Sequence, residues 1–238
     1  MQRIYSIFEA LRYRWFARKV LRCCFPSDKL ITDGYISQFG QDKWIAETLL
    51  PGKQQGIFVD IGANDGISIS NTCYLEKQLG WNGLAVEPIP EINQQLRTNR
   101  KCIVVEGCVG PKNGKITFQR ISGYPEMLSG IKDEYHALHN ARINVELKEF
   151  GGAIEEIDVD CYKFNDLMKQ YDIKSIDYLN IDTEGAELTI LESIDFEQIN
   201  IKVIGVENNY CDYRIPQLLV KHGYCFHSIV GDEFYVKS

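Results

Sequence analysis

The stretch Val59-Asp60-Ile61-Gly62-Ala63-Asn64-Asp65-Gly66 constrains this chain more than any other. An apolar run from Ile57 to Val59 leads into it, and a helix-compatible segment from Ser70 to Leu79 follows. The order is strand, glycine-bearing turn, helix, which is how a nucleotide-binding α/β unit opens. Gly62 and Gly66 allow a tight turn and a close approach of backbone to a ligand. The turn lacks the third glycine of G-x-G-x-x-G. A loop built for a pyrophosphate would not line its floor with Asp60 and Asp65, whereas one built for a cationic ligand can.

The 238 residues are enough for one α/β domain with a sizeable core. With 45% hydrophobic and 25% charged residues the chain reads as globular. A net charge of -7 argues against nucleic-acid binding through phosphates. The eight cysteines contain no CxxC pair, so reduced thiols are expected rather than a disulfide framework. No apolar run is long enough to predict a membrane-spanning helix. Glu9, Arg12 and Arg14 interrupt what would be the apolar region of a signal peptide, so a cytoplasmic location is expected.

Residues 1–25 stand apart. Arg3, Arg12, Arg14, Arg18, Lys19 and Arg22 face a single Glu9, and Ile4, Ile7, Phe8, Leu11, Trp15 and Val20 fall near helical spacing. This predicts a basic amphipathic helix, joined through Pro26–Gly34 to a main domain over residues 35–238. Such a helix either packs on its own domain or on a second subunit of a homodimer, or lies on an anionic membrane surface with Cys23 or Cys24 as an acylation site.

Within the main domain, strands are predicted at 56–60, 83–88, 102–105, 176–182 and 203–206, with helices between them. A closing hairpin is predicted from Tyr224–Ile229 and Phe234–Val236 across Gly231-Asp232. This pattern predicts a seven-stranded, mostly parallel α/β sheet with an antiparallel last strand. An insertion over about 120–152 breaks the alternation, flanked by strand-like runs at 115–119 and 154–159. Asp60, Glu87, Cys108, Asp182 and Glu207 all fall at predicted strand ends, the rim where such sheets bind ligands. Glu87 at the end of the second strand suits a ribose, in nicotinamide enzymes and methyl-transfer enzymes alike.

Together, Gly40-Gln41-Asp42, Val59 to Gly66, Ser70-Asn71-Thr72, Trp81 to Pro88, Ser129-Gly130-Ile131 and Ile181-Asp182-Thr183-Glu184-Gly185-Ala186-Glu187 resemble the FkbM family of S-adenosylmethionine-dependent methyltransferases. The resemblance covers residues 35–238. It implies a Rossmann-like class I methyltransferase fold and O-methylation of a hydroxyl, often of a sugar in a glycan or of a polyketide product. It also implies that Asp60, Gly62, Asn64, Asp65 and Gly66 border the methionine moiety of the donor. Glu87 then holds the ribose, the Gly107-Cys108 backbone neighbours the adenine, and Gln41 covers the cofactor. Cys108 stands where many methyltransferases place an acid, and a thiol is a poorer acceptor.

The expected methyl-transfer site lies beside Asp182 and Glu184. These acids serve as a catalytic base, as cofactor ligands (Asp182) or as helix caps. With Glu207 and Asn208 they also offer oxygen ligands for Mg²⁺, the metal set expected here being Asp182, Glu207 and Asn208. His136 and His139 in the insertion are further base candidates, His136 being the one assigned. The partner is then a hydroxylated small molecule or glycan. Two alternatives stay open: a nicotinamide-dependent oxidoreductase, disfavoured by the missing glycine and the lack of a Tyr-x-x-x-Lys pair, and a non-catalytic cofactor-binding or docking domain.

Overall fold

The computed structural model describes residues 34–238, so the basic helix predicted over residues 1–25 lies outside the described residues. Helix α1 (Gln41–Trp44) continues as one π-helical turn over Ile45–Leu49. Strand β1 (Ile57–Ile61) follows, then α2 (Cys73–Leu79), β2 (Asn82–Glu87), α3 (Pro90–Asn99) and β3 (Ile103–Glu106). Phe58 and Val59 are successive residues of β1 on opposite faces, and both are fully buried. That marks a parallel strand covered on both sides. Gly80, at φ +66°, ends α2, and Pro90 opens α3 in the first turn, where a missing N–H costs nothing.

The chain then leaves the main sheet. Strands β4 (Cys108–Val109), β5 (Gly114–Ser122) and β6 (Gly130–Ile131), helix α4 (Ala137–Phe150) and strand β7 (Ala153–Tyr162) form a second unit. Its sheet has the order β4-β7-β5-β6. β5 and β7 form an unbroken antiparallel ladder from Gly114↔Cys161 to Ser122↔Ala153. The insertion expected at 120–152 is thus the far end of a larger excursion. Phe118, Ile131, Val159 and Cys161 join the main core, while Ile121, Leu128 and Ile143 make a small core beneath α4.

Helix α5 (Phe164–Gln170), strand β8 (Ser175–Ile181), α6 (Glu187–Ser193), β9 (Asn200–Val206), α7 (Arg214–Lys221), β10 (Tyr224–Val230) and β11 (Asp232–Lys237) complete the chain. The main sheet has the order β10-β11-β9-β8-β1-β2-β3. β11 runs antiparallel to both its neighbours, and the other pairs are parallel. This is the seven-stranded sheet with a reversed last strand that the pattern predicted. From β1 the chain moves outward through β2 to β3, and later from β8 outward through β9. The order reverses between β1 and β8, and open α/β sheets bind ligands beyond the strand ends at such a point.

Candidate active site

Period-two alternation decides which strand residues reach this rim. Phe58, Ala85, Tyr178 and Val203 are buried together on one face of the sheet. Counting onward in twos gives Asp60, Glu87, Asn180 and Asp182, and Glu207. Four adjacent strands therefore deliver their polar ends to one crevice, whose wall includes all five residues.

The turn after β1 is held by backbone. The amides of Gly62 and Ala63 donate to Val86 O at 3.1 and 3.0 Å, and Asp182 N donates to Ile61 O at 3.0 Å. Gly62 has φ +88°, and a Cβ there would stand 1.8 Å from Asp182 O. No other residue fits, because the turn is pressed directly on the exit of β8. Asn64, at φ +49°, directs its amide to Glu87 Oε2 at 3.2 Å.

Asp60 is 2% exposed and fully engaged. It accepts from the Thr72 hydroxyl at 2.6 Å and from Asn180 Nδ2 at 2.9 Å. Glu87 accepts from Ile89 N at 2.9 Å as well as from Asn64. Burial outweighs these two bonds and pushes the Glu87 carboxyl up to about 7. Gly107, at φ +138°, brings the chain so close to β7 that a Cβ would meet Asp160 O at 2.5 Å. Cys108 is paired in register with Cys161, and the hydrogen bond between the two free thiols, with burial, holds the Cys108 thiol far above its ordinary range. It is a neutral wall of the pocket.

On the other side of β1, oxygens of Asp182, Glu184 and Glu207 lie within 4.8 Å of one another. Burial, then the neighbouring carboxylates with Asp232 foremost, raises Asp182 well above the usual range. Burial and the same crowding, with Glu184 foremost, raise Glu207. Carboxylates this close keep a proton or take a cation. Glu184 reaches back to α4, 3.4 Å from His139 Nδ1 and 3.9 Å from Arg142 Nη1. His139 is fully buried. Its Nε2 lies 3.0 Å from Leu128 O, so Nε2 carries the proton and Nδ1 accepts from the Tyr210 hydroxyl at 3.1 Å. Burial holds this imidazole below its ordinary range, hence neutral.

The pocket wall includes Asp60, Gly62, Asn64, Glu87, Gly107, Cys108, Asp182, Glu184 and Glu207 from the sequence-predicted set. Five others sit elsewhere. Gln41 spends its amide internally, accepting from Phe39 N and donating to Asp232, and its neighbour Gln38 lines the pocket instead. Asp65 turns away to accept from Ile67 N, Ser68 N and the Ser68 hydroxyl. Burial opposes its charge, but these bonds prevail and lower its pKa. Gly66 packs against α3, where a Cβ would meet Leu96 at 2.4 Å and Arg100 at 2.7 Å. His136 is exposed and caps α4, its Nδ1 accepting from Leu138 N at 3.2 Å while its ring stacks on Tyr210. Asn208 is drawn to the start of α7, bonding the Asp212 backbone and Glu233, and Glu184 takes its place in the acidic trio. Asn71, Asn180 and Arg142 line the pocket without having been singled out. The polar run Ser70-Asn71-Thr72 just before an apolar helix was the signal for the first of them.

No curated protein matches this sequence. Among solved structures, the chain is similar to methyltransferase FkbM from Methylobacillus flagellatus, at 12% identity and a TM-score of 0.48 over 84% of this chain and 48% of that one. This chain thus spans about half the length of that protein. A TehB-like SAM-dependent methyltransferase from Corynebacterium glutamicum matches at 13% identity and a TM-score of 0.41, over 96% and 95% of the two chains. Fibrillarin from Aeropyrum pernix, solved with natively bound S-adenosyl-L-methionine, matches at 10% identity and 0.46, over 84% and 73%. The family model for the methyltransferase FkbM domain matches residues 60–226, from the acid of the glycine turn to the closing hairpin. With well over half its length in that match, and with its strand-end acids gathered at one crevice, the chain belongs to the FkbM methyltransferase domain family.

Proposed function

We propose that the protein is an S-adenosylmethionine-dependent O-methyltransferase whose acceptor is a hydroxyl of a sugar in a glycan. The observation that carries the reading is the placing of Asp182, Glu184 and Glu207 on one side of β1 and Glu87 on the other. The donor set fits the cofactor: an anionic acceptor for two ribose hydroxyls at β2, and acids facing a ligand that bears a sulfonium and an ammonium. When bound, that cofactor supplies an activated methyl group.

The protein's own part is alignment and proton removal. Asp182 and Glu207 share a crowded, half-buried site that lifts them out of the usual carboxylate range. A carboxylate so raised is a better base for a sugar hydroxyl than an ordinary one. Glu184, tied to Arg142 and facing His139, fixes the α4 side of the acceptor space. Glu126, Met127 and Ser129 from the excursion line the same pocket, and the exposed Tyr124 and Phe150 rings pack against each other beside that loop, tilted by 39° with 4.4 Å between centroids. Such a mixed polar and aromatic surface suits a sugar.

The same three carboxylates favour a second reading. Asp182, Glu184 and Glu207 are hard oxygen ligands that would hold Mg²⁺, which would acidify a hydroxyl bound to it. One assay addresses both: transfer of labelled methyl from the donor to a panel of sugars and glycans, with and without chelator. Labelled glycan in the presence of chelator supports the carboxylate base. Activity lost to chelator and restored by Mg²⁺ supports the metal. No labelled sugar, with label found on another acceptor class, overturns the glycan assignment.

A further inference from the structure

Asn71 stands two residues before α2, is 6% exposed and lines the pocket. Its Nδ2 donates to Asn180 Oδ1 at 3.0 Å and to Asp232 Oδ2 at 3.1 Å. The surrounding bonds fix which end of the amide is which. Asn180 Oδ1 also accepts from the Tyr178 hydroxyl at 2.7 Å, and Asn180 Nδ2 donates to Asp60. The oxygen end of Asn180 must therefore face Asn71. Asp232 Oδ2 accepts from Gln41 as well. Turned over, Asn71 would set its oxygen against two acceptors.

The amide is thus locked with Oδ1 as a buried acceptor to which nothing among the described residues donates. Leaving such an atom unpaired costs about 1–3 kcal/mol. Tyr178, Asn180, Asp60, Asp232, Gln41 and Thr72 join Asn71 in one hydrogen-bonded network, and none of them supplies the missing proton. The pocket is the side from which a donor reaches it. Asp60 and Asp232, both bonded within this network, make a cationic donor the better match.

We propose that Asn71 Oδ1 accepts a hydrogen bond from the α-ammonium group of the methyl donor, so that Asn71 recognises the amino-acid end of the cofactor. This rests on the S-adenosylmethionine reading above and adds to it a residue and a ligand group. The test is calorimetry on the full chain with two ligands: S-adenosylhomocysteine and its analogue lacking the amino group. Asn71→Ala is expected to weaken S-adenosylhomocysteine about tenfold and the analogue less than about twofold. Equal losses for both ligands would mean that Asn71 only supports the network, and overturn the proposal. So would no loss for either. A wild-type protein that ignores S-adenosylhomocysteine overturns the donor reading and the proposal together. Should the variant not fold, the wild-type side-chain amide signals of Asn71 decide by NMR. They are expected to shift with S-adenosylhomocysteine and not with the analogue, and the same response to both ligands counts against the proposal.

Discussion

On the proposed function, Glu87 is the residue whose ionisation matters most for the donor. Held at about 7 by burial, it is half protonated near neutral pH in the ligand-free protein. Ribose hydroxyls donate to the ionised form, so affinity for S-adenosylhomocysteine should rise as pH passes upward through 7. Glu87→Gln should weaken binding about tenfold or more and flatten that dependence, by calorimetry between pH 6 and 8. Gly62→Ala is the sharpest backbone test. With φ at +88° and a carbonyl 1.8 Å from the added methyl, it should cost over about 2 kcal/mol in a denaturant melt. At this scale the sequence was legible where a strand ended. Asp60, Glu87, Asp182 and Glu207 follow from alternation and chain order. Gln41 and Asn208 misled because side-chain direction in a short loop depends on distant partners, here Asp232 and Glu233, which no local pattern encodes.

Among the elements, the β5–β7 ladder links residues 123–152 to the pocket wall at Gly107. Gly123 and Gly152 close its far end: a Cβ on Gly152, at φ +131°, would stand 2.1 Å from Ser122 O. Gly152→Ala should therefore loosen the excursion over residues 123–152. Amide hydrogen exchange there should quicken and methyl transfer should fall about tenfold, while affinity for S-adenosylhomocysteine stays within about twofold. Unchanged exchange would show that the ladder end does not hold the excursion. The main sheet's strands were legible, being short apolar runs closed by glycine, proline or an acid. The second sheet was only partly so. β7 begins with Ala153, Ile154, Glu155 and Glu156, all exposed, and owes its length to pairing with β5. A ladder between strands separated by a helix is a tertiary fact.

For the molecule as a whole, the gathered acids set a pH dependence. Burial raises Glu87, Asp182, Glu187 and Glu207, so the folded chain holds protons that the unfolded chain releases. The stability these protons contribute is complete below the ordinary carboxylate range. It is lost as pH rises, for Glu87 through about 7. Asp65, Glu76 and Asp177 act oppositely: their lowered values withdraw stability only in acid. The ligand-free protein should thus melt highest near pH 5 and several degrees lower at pH 8, with S-adenosylhomocysteine narrowing the gap. A melting temperature level between pH 5 and 8 would contradict this. Among the described residues no helix is long and apolar enough to cross a membrane.

The register of β5 against β7 has one further consequence. Its last pair, Ser122↔Ala153, sets the two chain ends of residues 123–152 side by side, β6 within them pairs back onto Phe118 and Gln119, and the other end of β7 lies against Gly107. The segment is therefore anchored at its two ends and again through β6, with α4 set against Glu184. On the proposed function, exchanging it between relatives is expected to change the acceptor only where β6 and that α4 face are kept.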